Sequence, residues 1–174
     1  MDIDQEDYYS RELFAHFGLA MYHTQVLEHA IVNLIAFASL IPTITKQDLT
    51  KFEWHNLIDE FYSTNFKKTL GQLIKALKSY GINLPDNLAS ILEDSLEKRN
   101  YLAHHFFREE IQSCFTLEGN ITLITKLQEY QQVFINTDRL IDKIILPFAN
   151  KYGITEQIIQ QELDLIKNAD SGHS

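Results

Sequence analysis

The chain is short of the residues that bend a backbone, with six glycines and three prolines among 174 positions. That scarcity leaves few places for tight turns and favours long helices joined by short loops. Cysteine occurs once, so Cys114 can form no internal disulfide and reads as a small core residue. No apolar run of 18 residues is evident. The richest stretch, Ala30 to Pro42, contains Asn33 and Ser39 and reads as too short to span a bilayer, so no membrane partner is expected. An excess of positive charge is missing as well. Fifteen Lys and Arg against 24 Asp and Glu give a net charge of −9. This argues against a protein that coats nucleic acid, because such affinity rests on neutralising phosphates, but it leaves room for a local basic cleft. The opening segment Met1 to Asp7 is acidic, unlike a signal or transit peptide, and a cytoplasmic location is expected. Glycine-rich phosphate loops, internal repeats and low-complexity segments are absent from the sequence.

What is present reads as one globular domain over residues 1–174, with 1–9 and 169–174 as loose ends. The chain is 45% hydrophobic and 22% charged, ordinary values for a packed protein. Apolar residues recur at spacings of three and four from Leu13 through Phe17, Met21, Leu27, Ile31, Leu34 and Ala38. This predicts a helix capped near Ser10, running to about Leu40 and ended by Pro42. A second helix is expected from Thr45–Asp48 to about Tyr62, with Leu49, Phe52, Leu57, Ile58 and Phe61 as its packing face. A third runs from Asn65 to Tyr80 after a Ser63 or Thr64 cap, with Phe66 inward and Gly81 as its C-terminal cap. Pro85 then breaks the chain, and Asp86 or Asn87 caps a helix reaching about Ser113. Phe115 to Asn120 reads as a loop or a tiny hairpin. A long helix from about Thr122 to Lys151 follows, with Pro147 as a candidate kink, and a last helix from Thr155 to about Asn168. The fold class is all-α: a bundle of five or six helices with long antiparallel neighbours.

One stretch departs from ordinary amphipathic patterning. Ser95 to Glu110 sets Arg99, Asn100, His104 and His105 among Tyr101, Leu102, Phe106 and Phe107. So mixed a segment reads as a half-buried face opening on a cleft. Arg99 and His104 are five residues apart, roughly 140° of rotation and about 7.5 Å of rise on a helix, so both can lean into one groove. Asn100 and His104, four apart, share a face. A permanent planar cation suits phosphate, and an imidazole can move a proton near neutral pH. These are the parts needed to cleave a phosphodiester without a metal. The plainer alternative pairs Arg99 with Glu97 or Asp94 and leaves His104 a satisfied, partly buried histidine.

Arg99-Asn100-Tyr101-Leu102-Ala103-His104 resembles the R-polar-x-x-x-H signature of the HEPN superfamily, all-α domains of prokaryotic toxins, defence systems and some eukaryotic RNases. The motif covers about ten residues, and the order of helices extends the likeness over most of the chain. The resemblance implies a homodimer in which two motif helices face one another and line a single cleft. It implies metal-independent cleavage of RNA, with Arg99 and His104 catalytic, Asn100 supporting them, and no metal or cofactor. His105 and Arg108 are candidates to assist substrate binding. Glu28, in an apolar stretch of the first helix, is a candidate to reach across to Arg99. Many toxin members carry a tyrosine two residues after the histidine, where this chain has Phe106. A competing expectation is a non-catalytic HEPN-like helical dimer serving as a protein-interaction or regulatory module, in keeping with the acidic balance. A third is a toxin modified by a nucleotidyltransferase partner. An antitoxin or regulatory protein is an expected partner in these settings.

The remaining candidates are weaker. Lys67, Lys68, Lys75 and Lys78 form the densest basic cluster, an extra RNA-contact surface if RNA is bound and otherwise a solvated face. Trp54 and His55 read as core or as a stacking pair. His16, His23 and His29 lack metal-ligand spacing and read as boundary residues.

Overall fold

The computed structural model describes residues 5–80, 82, 84–155, 157, 158, 160, 161 and 164. Helix α1 (Gln5–Ile35) continues through a π-helical segment, Ala36–Leu40, into the short α2 (Ile41–Ile44). Together they form one rod. It is followed by α3 (Lys51–Asn65), α4 (Leu70–Ser79), α5 (Asp86–His104), α6 (Phe106–Glu109), a 3₁₀ turn at Ser113–Phe115 and α7 (Leu117–Lys151). With the rod counted once there are six helices, and no strand occurs among the described residues.

The core lies where α1, α4, α5 and α7 meet. Leu27, Ile31, Leu70, Leu92, Phe134 and Ile141 are sealed from solvent. Each such side chain contributes roughly 1.5–3 kcal/mol by leaving water. Helix direction follows from individual contacts. Arg99 meets Glu28 and Phe106 meets Phe17, so the α5–α6 segment descends α1. Ser95 meets Thr137 and Tyr101 meets Lys126, so α5 also runs against α7. The two longest helices therefore lie side by side in the same direction. Two contacts bear this out: Gln131 of α7 reaches His16, and the π segment beyond Ile35 still touches α7. In an antiparallel pair starting from His16 and Gln131, α1 would pass the start of α7 before reaching Ile35. The expected antiparallel arrangement thus holds for α5 against each neighbour and fails for the α1–α7 pair.

Several boundaries move. Helix α1 is under way by Gln5, so Ser10 lies inside it and caps nothing. Pro42 does not end the rod. The Ile41 N–H bonds back to the Ala36 carbonyl, five residues away, and this widened turn admits a proline that has no N–H to give. The rod is 40 residues long and includes a stretch long and apolar enough to cross a membrane, 44% of which is buried in the bundle. The Ala30–Pro42 run lies within this rod. Helix α3 starts later than predicted, because Thr50 and Glu53 form the capping box. Phe52 on it is 74% exposed, so it is no part of a packing face. Thr69 and Gln72 form a second box, so residues 66–69 are a turn and Phe66 is exposed rather than inward. Pro85 occupies the cap position of α5, and neither Asp86 nor Asn87 caps it. The hydroxyl of Thr116 accepts from the Gly119 N–H and starts α7 five residues early, replacing the predicted loop or hairpin. Pro147 stands inside α7, whose helix continues to Lys151. Gly81 and most of the predicted last helix and tail lie outside the described residues.

Candidate functional site

Helix α5 is regular to His104 and stops there. His105 takes φ −125° and ψ −33°, outside helical values, and α6 restarts at Phe106. The predicted helix to Ser113 is therefore cut in two. The physical reason is Phe106, which the break turns into the core against Phe17 and Tyr101. His104 becomes the last residue of α5, exposed, with its ring free of hydrogen bonds among the described residues. Asn100, one turn earlier, is exposed on the same side.

Arg99 turns the other way. Its Nε lies 3.7 Å from Glu28 Oε1, and the two side chains are only about one-fifth exposed, at 20% and 21%. The candidate contact between Glu28 and Arg99 is thus present. Neither Glu97 nor Asp94 is the partner; Asp94 pairs with Lys98 instead. The Arg99–Glu28 contact is one of charge rather than a hydrogen bond, since both facing atoms are buried without a hydrogen-bond partner. Burial pushes the Glu28 carboxyl above its ordinary range, against the pull of Arg99, the Leu70 N–H at the start of α4, and His29. Glu28 consequently links α1 to α5 through this charge contact. The outer edge of the guanidinium makes a single long contact, Nη1 donating to Asn100 Oδ1 at 3.4 Å. Within one chain, then, Arg99 and His104 flank Asn100 without touching.

The other candidates separate from this group. Arg108 Nη2 donates to His105 Nδ1 at 2.7 Å, and Glu109 lies 3.3 Å from the same nitrogen, so His105 and Arg108 pair locally. The four lysines are not one helical face. Lys67 and Lys68 sit in the turn before α4, with Lys68 donating to Asn65 Oδ1, while Lys75 and Lys78 are on α4 and Lys78 pairs with Glu93. Trp54 and His55 have their rings 6.0 Å apart on the exposed side of α3. His16 is held by Gln131, whose amide donates to its carbonyl at 2.9 Å. Cys114 is half-buried against the core, and burial pushes its thiol up.

One cluster had no signal in the sequence. Tyr101 donates to Glu110 at 2.6 Å, and Lys126 of α7 donates to Glu110 at 2.7 Å and to the Tyr101 hydroxyl at 2.9 Å. The Lys126 ammonium also stands 4.4 Å from the Tyr101 ring centre. Burial acts to lower the Lys126 ammonium, but its bonds to Glu110 and Tyr101 outweigh that and hold it above its ordinary range. The same bonds hold Glu110 below the usual carboxylate range. This three-way contact spans the break at His105 and fastens the end of α5 to α7. Its partners are far apart in sequence, and periodicity alone does not join them.

No family model, curated protein or solved structure matches the chain.

Proposed function

We propose that this chain is a metal-independent endoribonuclease of HEPN type, serving as a toxin or phage-defence component and acting as a homodimer. The observation that carries the reading is the exposed Asn100–His104 edge at the end of α5, with Arg99 held beside it by a single nitrogen. In this reading the Glu28 contact orients the guanidinium, leaving its outer edge for a phosphate. Two such edges brought together line one cleft. His104 takes the proton of a ribose 2′-hydroxyl, or returns one to the leaving 5′ oxygen. The 2′ oxygen attacks phosphorus, the P–O5′ bond breaks, and a 2′,3′-cyclic phosphate remains. Arg99 stabilises the charge that develops on the phosphorane. DNA, lacking the 2′-hydroxyl, is no substrate.

A second reading has its own observation. The largely buried Arg99–Glu28 pair is what a non-catalytic HEPN-like interaction module would keep for its architecture, and the net charge of −9 suits a protein partner. A third, modification by a nucleotidyltransferase, is disfavoured, because Phe106 is a core residue without a hydroxyl.

The deciding experiment is RNA cleavage in EDTA at low salt by wild type, His104→Ala and Arg99→Lys. Arg99→Lys preserves the charge opposite Glu28 but not the planar fork. Cleavage leaving cyclic-phosphate ends, and lost by at least about a hundredfold in His104→Ala, is the expected result. A folded wild type that cuts neither tRNA, rRNA nor mRNA would leave the interaction module as the better reading. Activity surviving both substitutions would remove these residues from the chemistry.

A further inference from the structure

Beside the Glu28–Arg99 pair, a cavity of about 230 Å³ opens between α1 and the turn leading into α4. Drug-sized ligands occupy pockets from about 300 Å³ upward, so this one has room for a single small planar group. Gln25, Glu28, His29, Phe66 and Lys68 supply its lining. Three of its features point to a ligand. The first is a run of rings in near-stacked order: His29 lies 4.5 Å from Phe66 at 32°, and Phe66 lies 5.4 Å from Tyr62 at 36°. Tyr62 is pinned by its hydroxyl donating to Asn33 at 2.9 Å, so the run is held in place before anything binds. Phe66 at its edge is 47% exposed, which leaves part of the ring open beside the cavity. The second feature is polar. Glu28 lines the cavity with a carboxylate, and Gln25 adds an amide that can donate and accept. The third is Lys68, a cation at the wall.

We propose that this cavity is a nucleobase subsite for single-stranded RNA. The base extends the Phe66–His29 stack, an exocyclic amino group donates to Glu28, and Lys68 meets the attached phosphate. The ligand class rests on the ribonuclease reading, because Glu28 is also the residue that holds Arg99. A base seated here places its backbone next to the guanidinium. The Glu28 acceptor takes the exocyclic amine of adenine, cytosine or guanine, whereas uracil can offer only its ring N3–H, so A and C are expected to exceed U.

The test uses the full chain and two kinds of oligonucleotide. A fluorescein-labelled 2′-O-methyl hexamer cannot undergo 2′ transesterification and reports binding alone; the matching unmodified RNA reports cleavage. Wild type, Phe66→Ala, Phe66→Tyr and Gln25→Ala are compared on oligo-A, oligo-C and oligo-U. Phe66 and Gln25 are exposed, so folding is not at stake. Loss of the stack is expected to weaken hexamer binding about tenfold in Phe66→Ala, with recovery in Phe66→Tyr. Gln25→Ala is expected to narrow the margin by which A and C exceed U. Wild-type cleavage with unchanged KM and base preference in Phe66→Ala would overturn the subsite and leave the ribonuclease reading standing. Hexamer binding lost in Phe66→Ala, together with no cleavage by wild type, would support the subsite and remove the ribonuclease reading. No hexamer binding by wild type would overturn the subsite outright.

Discussion

Asp138 and Asp142 stand one turn apart on α7, and both carboxyls are raised by burial. Asp138 is pushed up to about 6, first by burial and then by Asp142, with Arg139 opposing. A carboxyl raised in the folded state binds protons there more tightly than in the unfolded chain, so stability falls as pH rises from about 4 to about 6. Because the group is only half-buried, the penalty at neutral pH is about 1 kcal/mol after screening. Asp138→Asn should therefore raise the urea midpoint at pH 7 and leave it nearly unchanged at pH 4, which paired denaturation curves would check. Gly119 makes a second prediction at this scale. A Cβ there would meet the Ser113 carbonyl oxygen at 2.2 Å and its Cα at 2.7 Å, atoms that no side-chain rotation moves. Gly119→Ala should cost about 1–3 kcal/mol, read as a lower melting temperature, although alanine is normally the better helix former. Legibility at this scale was uneven. Arg99, Asn100 and His104 stand out by type and spacing, and Glu28 by its apolar neighbours, so their places in the fold answer to local pattern. His105 and Arg108 share that pattern but are drawn off by Glu109, a competition that only the break after His104 makes possible.

At the scale of elements, caps decide more than periodicity. Thr69 accepts from the Gln72 N–H while Gln72 returns a bond to the Thr69 N–H, which fixes the start of α4 and the turn that carries Phe66 and Lys68. Thr69→Ala should cost about 1 kcal/mol in chemical denaturation. The predicted caps at Ser63 or Thr64 failed because both still lie inside α3, which runs to Asn65, and the next helix starts only after the turn, at the Thr69 box. Several Ser and Thr residues of this chain bond backward to carbonyls within helices, as Ser63 does to Glu60. A hydroxyl in sequence thus marks either a start or an interior position, and the residue three later does not by itself separate the two: Thr116 starts α7 with Gly119 there, while Thr125 bonds back to the Ile121 carbonyl inside α7 although Gln128 follows it. Thr50–Glu53 and Thr69–Gln72 both carry a reciprocal partner. The π segment was illegible for a related reason: proline normally stops a helix, and only the five-residue bond around it allows passage.

For the molecule as a whole, charge sets the terms of any encounter with RNA. With a net −9, long-range attraction is absent and only local cations, Arg99 and nearby lysines, favour a polyanion. Cleavage by the proposed enzyme should decline with added salt, but with a log–log slope near −1 to −2, far shallower than that of a coating protein. KM measured from 20 to 300 mM KCl would show it. The all-α class follows from the scarcity of Gly and Pro and from the apolar spacing. The direction of α7 relative to α1 does not, because it depends on which helix is inserted between them, and sequence pattern carries no such term.

That parallel pairing fixes an order of events in synthesis. Helix α1 ends at Ile35, and the helix that covers it most extensively starts only at Leu117. On the ribosome, the apolar face of α1 must wait for nearly the entire chain, a long closure with a matching entropic cost. A nascent chain stalled before α7 emerges should expose that face and recruit chaperones, whereas one carrying α7 should not. Stalled-chain crosslinking, with and without residues 117–151, would show whether the fold is completed in this single late step.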